Sequence, residues 1–293
     1  MIGKSAMCRE YLEKRLAAKG KSRRVEKMGW TSTGARLFYS CSPGTNVMTP
    51  ALQMAAGNSA LKILVVVPTQ EELDGFLQAC REQGYEGQPA ASGKLSVRHF
   101  PALELAVAKG GLGKTQFAVQ TSYLIGQQPW DLVICAGAAG ALVDGLSVGD
   151  VVIATETVEH DIRNRFGKPL VPRFGGSEKV LQRCRQALSS KVAFQVHYGP
   201  IASGDEDVVA IGRRAEIHEQ TGALVVAWEG AGGARASQFS GVPFVEIRGV
   251  TDSADSAAAS DFRVNLSKAM GSVAQVVIAL SRFVLTGSDC RSI

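Results

Sequence analysis

From residue 61 onward, short runs rich in Val and Ile, bounded by Gly, Pro or acidic residues, alternate with stretches in which apolar residues return every three or four positions. Runs such as Ile63-Leu64-Val65-Val66-Val67 and Leu132-Val133-Ile134-Cys135 are apolar on both faces, the pattern of strands covered by helices on each side. The pattern predicts strands over 62–68, 95–100, 103–109, 132–136, 149–155, 196–201, 224–228 and 244–250. Helices are predicted over 70–83, 115–126, 178–189, 213–222, 230–240 and 261–284. Their alternation implies an α/β fold with a mainly parallel, twisted central sheet flanked by helices, as a single domain over 61–293. In the last helix Met270, Val273, Val277, Leu280 and Val284 share one face and Ser260 or Asp261 offers a cap, so that helix should cover the sheet as a lid.

Ligands of such sheets bind beyond the carboxyl ends of the strands. The first predicted strand runs into Glu71-Glu72, the third into Gly110-Gly111-Leu112-Gly113 and the fourth into Gly137-Ala138-Ala139-Gly140. The last two run into Glu229 and Asp252. Three carboxylates, Arg248 and two Gly-rich turns thus converge on one edge, which predicts one polar site.

Charge changes the picture at the amino end. The net charge of +5 belongs to residues 1–60, which carry 10 Lys/Arg against 3 Asp/Glu, whereas the rest is slightly acidic. A basic nucleic-acid-binding fold is therefore not the expectation, and no nucleic-acid partner is assigned. Residues 1–60 read as a basic, poorly ordered leader, or as an organelle-targeting or anion-binding arm. The longest apolar runs, such as Ile63 to Val67 and Val276 to Leu280, are far shorter than a membrane helix needs, so no membrane partner is expected. Six cysteines without a C-x-x-C spacing and without a secretory h-region read as free thiols of a reducing, cytoplasmic compartment. The four histidines have no metal-ligand spacing, so no metal is expected, and His160-Asp161 reads as a structural hydrogen-bonded pair.

The segment Lys109-Gly110-Gly111-Leu112-Gly113-Lys114-Thr115 looks like the deviant Walker A loop of partition-type ATPases. Such an enzyme also needs aspartates at neighbouring strand ends, and the strand after this loop's helix ends in Gly and Ala instead. The glycines are equally explained by a tight strand-to-helix turn.

Taken in order, the motifs resemble those of the nucleoside phosphorylase/nucleosidase superfamily, and within it the methylthioadenosine/S-adenosylhomocysteine nucleosidases. The similarity rests on Lys62-Ile63 leading into Gln70-Glu71-Glu72-Leu73, on Gly111-Leu112-Gly113-Lys114, on G-A-A-G-A-L from Gly137 and on V-G-D-V-V-I-A-T-E from Val148 with His160-Asp161. It continues with A-S-G-D from Ala202, W-E-G-A-G-G-A-R-A from Trp228 and G-V-P-F-V-E-I-R-G-V-T-D-S-A-D from Gly241. The resemblance implies cleavage of the N-glycosidic bond of a purine nucleoside, without a cofactor. It casts Asp252 as the acid that protonates the departing base and Glu72 as the base that activates water. Glu229 matches the carboxylate that grips the ribose hydroxyls, and Arg248 an arginine near the water. Leu112, Ala138, Asp207, Val208 and Trp228 fall at substrate-binding positions.

A phosphorolytic enzyme needs a dianion pocket, usually arginines and hydroxyls near the first and fourth strand ends. Here those turns read Pro68-Thr69-Gln70 and Cys135-Ala136-Gly137-Ala138, which favours water as the nucleophile. A phosphorylase, a partition-type ATPase and an inactive nucleoside-binding protein are the alternatives. Ala138 stands where the family usually has Ser or Thr, and Glu206-Asp207-Val208 where it usually has a stacking aromatic. Trp228 stands for the usual Met and Ala227 for a Glu. These departures point to an altered nucleoside, or to reduced activity. The segment from Phe166 to Phe174 lies where the family forms its dimer, so a homodimer is also implied.

Overall fold

The computed structural model describes residues 62–167, 171–188 and 192–286; the leader over 1–60, with the expectations attached to it, lies outside the described residues. Ten strands form one sheet: β1 (Ile63–Val67), β2 (Gln88–Ser92), β3 (Leu95–Phe100), β4 (Leu105–Lys109), β5 (Leu132–Ala141), β6 (Val151–Glu159), β7 (Arg173–Gly175), β8 (Val196–Ser203), β9 (Val225–Ala227) and β10 (Phe244–Asp252). Among the described residues six α-helices flank it: α1 (Gln70–Glu82), α2 (Lys114–Ile125), α3 (Glu178–Ala187), α4 (Ile211–Thr221), α5 (Gly230–Ser240) and α6 (Ala258–Thr286).

The sheet is mixed. Strand β1 pairs in parallel with β4 and β5, β5 with β10, and β8 with β6 and β9. The antiparallel pairings are β10 with β6, β2 with β3, β3 with β4, β5 with β9 and β6 with β7. The parallel expectation thus holds where βα crossovers cover both faces and fails where hairpins or short edges join. Because β10 pairs with both β5 and β6, the path β10-β6-β8-β9-β5 closes on itself, and β1-β4-β3-β2 leaves it as an open flap.

Strand β1 shows how the core divides. All five of its residues are buried. Ile63, Val65 and Val67 join Phe76 of α1 and Val273, Val277, Leu280 and Val284 of α6, whereas Leu64 and Val66 face Phe117 and Leu124 of α2 and Ala234 of α5. Helix α6 begins at Ala258, ahead of the expected cap; Asp255 accepts from Ala257 N at 2.8 Å, and Ser260 is already within the first turn. The span Ala258–Leu285 is long and apolar enough by length and composition to cross a membrane, although its apolar residues form no long unbroken run, and most of it is buried inside the protein. Among the described residues Cys80, Cys135 and Cys184 are free and buried.

Candidate active site

The turn after β1 builds the first carboxylate. Thr69 caps α1 and Glu72 closes the capping box: Glu72 N donates to Thr69 Oγ1, while Glu72 Oε2 accepts from Thr69 N at 3.0 Å and from Thr69 Oγ1 at 2.8 Å. The other oxygen, Oε1, accepts from Ala138 N of β5 at 2.8 Å. Glu72 is therefore held at both oxygens with 3% of its surface exposed, in the acceptor role of a carboxylate. Gly137 is required for this seat. A Cβ there would lie 2.4 Å from Arg248 Nη1 and 2.8 Å from Glu72 Oε1, so the absent side chain leaves room for both charged groups over the strand.

Strand β9 and helix α5 place the second carboxylate. Glu229 occupies the N-cap position of α5, and its Oε1 accepts from Gly113 N at 3.2 Å while Oε2 faces Arg248 Nη2 at 3.3 Å. Burial pushes its pKa up to about 7, against the pull of Arg248. Asp252 ends β10 and is the third. Its Oδ2 accepts from Thr251 Oγ1 at 2.8 Å and its Oδ1 from Ala254 N at 2.9 Å. Burial raises its pKa in spite of these bonds, which suits a group that must carry a proton to a leaving group.

Asp252, Glu72 and Glu229 line one cavity of about 480 Å³ together with Leu112, Ala138, Asp207, Val208 and Trp228, so eight of the nine residues singled out from the sequence share it. That volume suits a small organic ligand. Arg248 differs from the expectation of a group near the attacking water. It is 1% exposed and lies behind the cavity wall, with Nε on Glu246 Oε1 at 2.8 Å and Nη1 on Ala138 O at 3.3 Å. Burial works against its charge, but Cys135, Glu246, Glu229 and Glu72 together hold its pKa above the ordinary arginine value. Arg248 is thus bonded to the residues behind the wall and does not line the cavity.

Sequence reasoning missed Thr69 and Thr251, which serve as partners of the carboxylates, and the wall formed by Ala258, Ala259, Phe262 and Arg263 of α6. The signal was available: the first turn of a helix that follows the Asp252 strand by only a few residues must lie beside it. Among the described residues no group of His, Cys, Asp and Glu could hold a metal ion.

Two further points are decided by side-chain partners, one against the ATPase alternative and one against an expected pair. Lys114 does not present its ammonium to a phosphate cradle; Nζ bonds Glu159 at 2.9 Å and also Asp161, and its backbone N donates to Asp205 Oδ1 at 2.8 Å. With Gly113 N given to Glu229, the groups that a Walker loop would turn to nucleotide are committed to the protein itself. His160 and Asp161 do not pair. The His160 ring is buried against Gly204 with neither nitrogen hydrogen-bonded, burial lowers its pKa, and Asp161 accepts instead from Lys114 and from Asp205 N.

Comparison with known proteins agrees with the geometry. The family model described as the phosphorylase superfamily matches residues 62–282. A 5'-methylthioadenosine/S-adenosylhomocysteine nucleosidase of Exiguobacterium is 32% identical over 188 residues, 61% of this chain and 81% of the relative. A protein of the same description from Staphylococcus aureus is 32% identical over 185 residues, covering 60% and 81%. Among solved structures, the Neisseria meningitidis 5'-methylthioadenosine/S-adenosylhomocysteine nucleosidase in complex with methylthio-immucillin-A superimposes with a TM-score of 0.66 at 30% identity, over 75% of this chain and 97% of that one. The chain belongs to the phosphorylase superfamily, on the side of its methylthioadenosine/S-adenosylhomocysteine nucleosidases.

Proposed function

We propose that this protein hydrolyses the N-glycosidic bond of an adenosine-type nucleoside and releases the free base and a ribosyl product. The observation that carries the reading is the convergence of Asp252, Glu72 and Glu229 on one cavity. Cleavage builds positive charge on the ribose while the base departs with the bonding electrons. Asp252, its pKa raised, supplies the proton that lets the base leave neutral. Glu229 accepts from the ribose hydroxyls, with Gly113 N and Arg248 fixing its two oxygens. Glu72 takes a proton from the water that attacks the anomeric carbon; its seat on Thr69 and Ala138 aims it.

Water rather than phosphate is the nucleophile. Among the described residues that line the cavity the one guanidinium, Arg263, stands on α6 and not beside Glu72, and Arg248 is occupied by Glu246, Glu229 and the Ala138 carbonyl. The relatives' substrates, methylthioadenosine and S-adenosylhomocysteine, are the first to try. Asp207 and Trp228 on the cavity wall favour a nucleoside with a modified base or a bulky 5′ substituent. A homodimer is part of this proposal, supported by the exposed Val119 and Ile211 beside the cavity residues Leu112 and Val209 and tested by sedimentation; a cytoplasmic location is proposed from the free thiols of Cys80, Cys135 and Cys184 and tested by cell fractionation. The deciding experiment follows base release from a nucleoside panel with and without phosphate. Release without phosphate is expected; strict phosphate dependence would make the enzyme a phosphorylase, and no release from any nucleoside by folded protein would remove the catalytic reading.

A further inference from the structure

Glu246, on β10 two residues before Arg248, has no part in the reaction as described, yet it is a carboxylate with 0% of its surface exposed. A buried charge persists only where it is paired and hydrogen-bonded. Glu246 has both. Oε1 accepts from Arg248 Nε at 2.8 Å, and Oε2 accepts from Thr157 Oγ1 of β6 at 2.6 Å. The carboxylate also occupies the space over the first residue of α5, where a Cβ on Gly230 would lie 2.0 Å from Oε2. The amino end of a helix favours an anion at that point. Arg248 is gripped on its other edges by Ala138 O, by Cys135 Sγ at 3.3 Å and by Glu229 Oε2 at 3.3 Å.

We infer that Glu246 is a positioning residue of the site: seated by Thr157 and Gly230, it fixes the guanidinium of Arg248 and balances its charge, so that Arg248 orients Glu229 and Glu72 without capturing either. The charged and titratable groups that face Arg248 are Glu72 from α1, Cys135 from β5, Glu229 from the head of α5 and Glu246 from its own strand. Glu229 and Glu246 lie on different edges of one guanidinium and compete for it. Glu229 stands at about 7 with Glu246 in place. Neutralising Glu246 leaves more of the positive charge to Glu229, which then ionises at lower pH. Shortening Glu246 keeps the charge but withdraws it from Nε, which loosens Arg248 instead.

This inference rests on the nucleosidase reading, and its test has one arm that needs no turnover. In the free, full-length protein carrying 13C-labelled glutamate, the resonance that disappears in Glu229→Gln is followed against pH in wild type, Glu246→Gln and Glu246→Asp. Its midpoint should fall by about one pH unit in Glu246→Gln, the low end of what a neighbouring charge does to a buried carboxylate, and by less in Glu246→Asp, which keeps the charge. In the kinetic arm, kcat for base release should drop about tenfold or more in Glu246→Asp with KM little changed, since a loosened Arg248 misplaces the catalytic carboxylates. A folded Glu246→Gln whose Glu229 midpoint is unmoved overturns the inference. If that variant does not fold, Glu246→Asp decides: wild-type kcat overturns it as well. A wild type that releases no base would sink the nucleosidase reading and leave the titration standing, so the two failures are distinguishable.

Discussion

Replacing Glu229 by Gln should stabilise the protein above neutral pH while removing its activity. Glu229 is 3% exposed, and burial moves its pKa from 4.5 to about 7 even though Arg248 stands 3.3 Å away. The proton is therefore held more tightly by the folded than by the unfolded chain. Between the two pKa values the folded state binds one more proton, so stability from this group is full below the unfolded value and is lost as pH rises through about 7. A shift of roughly 2.5 units corresponds to about 3 kcal/mol. Gln mimics the protonated acid: it keeps an oxygen for Gly113 N and carries no charge to desolvate. Urea unfolding of both proteins at about pH 4.5 and about pH 8 isolates the effect, because Asp150, Asp161 and Glu206, whose pKa values are lowered, act alike in both. The stability of the variant relative to wild type should rise by about 3 kcal/mol across that range. A difference that does not change with pH would mean that Arg248 outweighs burial, and the assignment of a costly buried carboxylate would be wrong.

Three further outcomes are expected. Asp252→Asn should reduce base release by about 100-fold or more with little change in melting temperature, because Asn offers the same shape without a transferable proton; near-full turnover would exclude Asp252 as the acid. Gly137→Ala should cost about 1–3 kcal/mol in thermal stability and lower kcat, since its methyl would intrude between Arg248 and Glu72. Wild-type values in both melts and kinetics would show that the two charges have room to part. A chain beginning at Leu61 should keep its kcat, as every residue assigned to the chemistry lies beyond that point; a folded truncated chain without activity would place part of the site in the leader.

The alternation of buried runs and helical stretches made the α/β architecture readable, since burial on both faces leaves a continuous apolar run in the sequence itself. It failed where composition carried two messages at once. The segment Gly137-Ala138-Ala139-Gly140 reads as a turn, but β5 continues through it to Ala141, paired with β10 and β9. Its side chains are small for a reason that only the neighbours reveal: Arg248 and Glu72 fill the Cβ space at Gly137, and Asp252 lies 2.6 Å from where a Cβ would stand at Gly140. Strand β2, with Pro89 on an exposed edge, and the three-residue β7 were missed because an edge strand needs no apolar alternation. Glu246 was read only as one letter of a motif, because sequence alone does not say that a charge on a buried strand meets Arg248 and Thr157.

The departures from the family's usual residues can be understood through the same contacts. At Ala138 the structural work is done by the main chain, whose N–H holds Glu72 and whose carbonyl holds Arg248, so losing a side-chain hydroxyl leaves both seats intact. At Trp228 the carbonyl accepts from Ser203 Oγ at 2.7 Å, and Ser203 Oγ in turn accepts from Ala231 N, which fixes the head of α5 whatever ring stands on the cavity wall. Asp207 is exposed at the cavity, outside the ring of bonds that seats the three carboxylates. Substitution at these points alters what the walls admit and leaves the reacting frame in place. In the proposed mechanism, bond cleavage therefore rests on backbone and buried charge, and the choice of nucleoside on the side chains of the cavity wall.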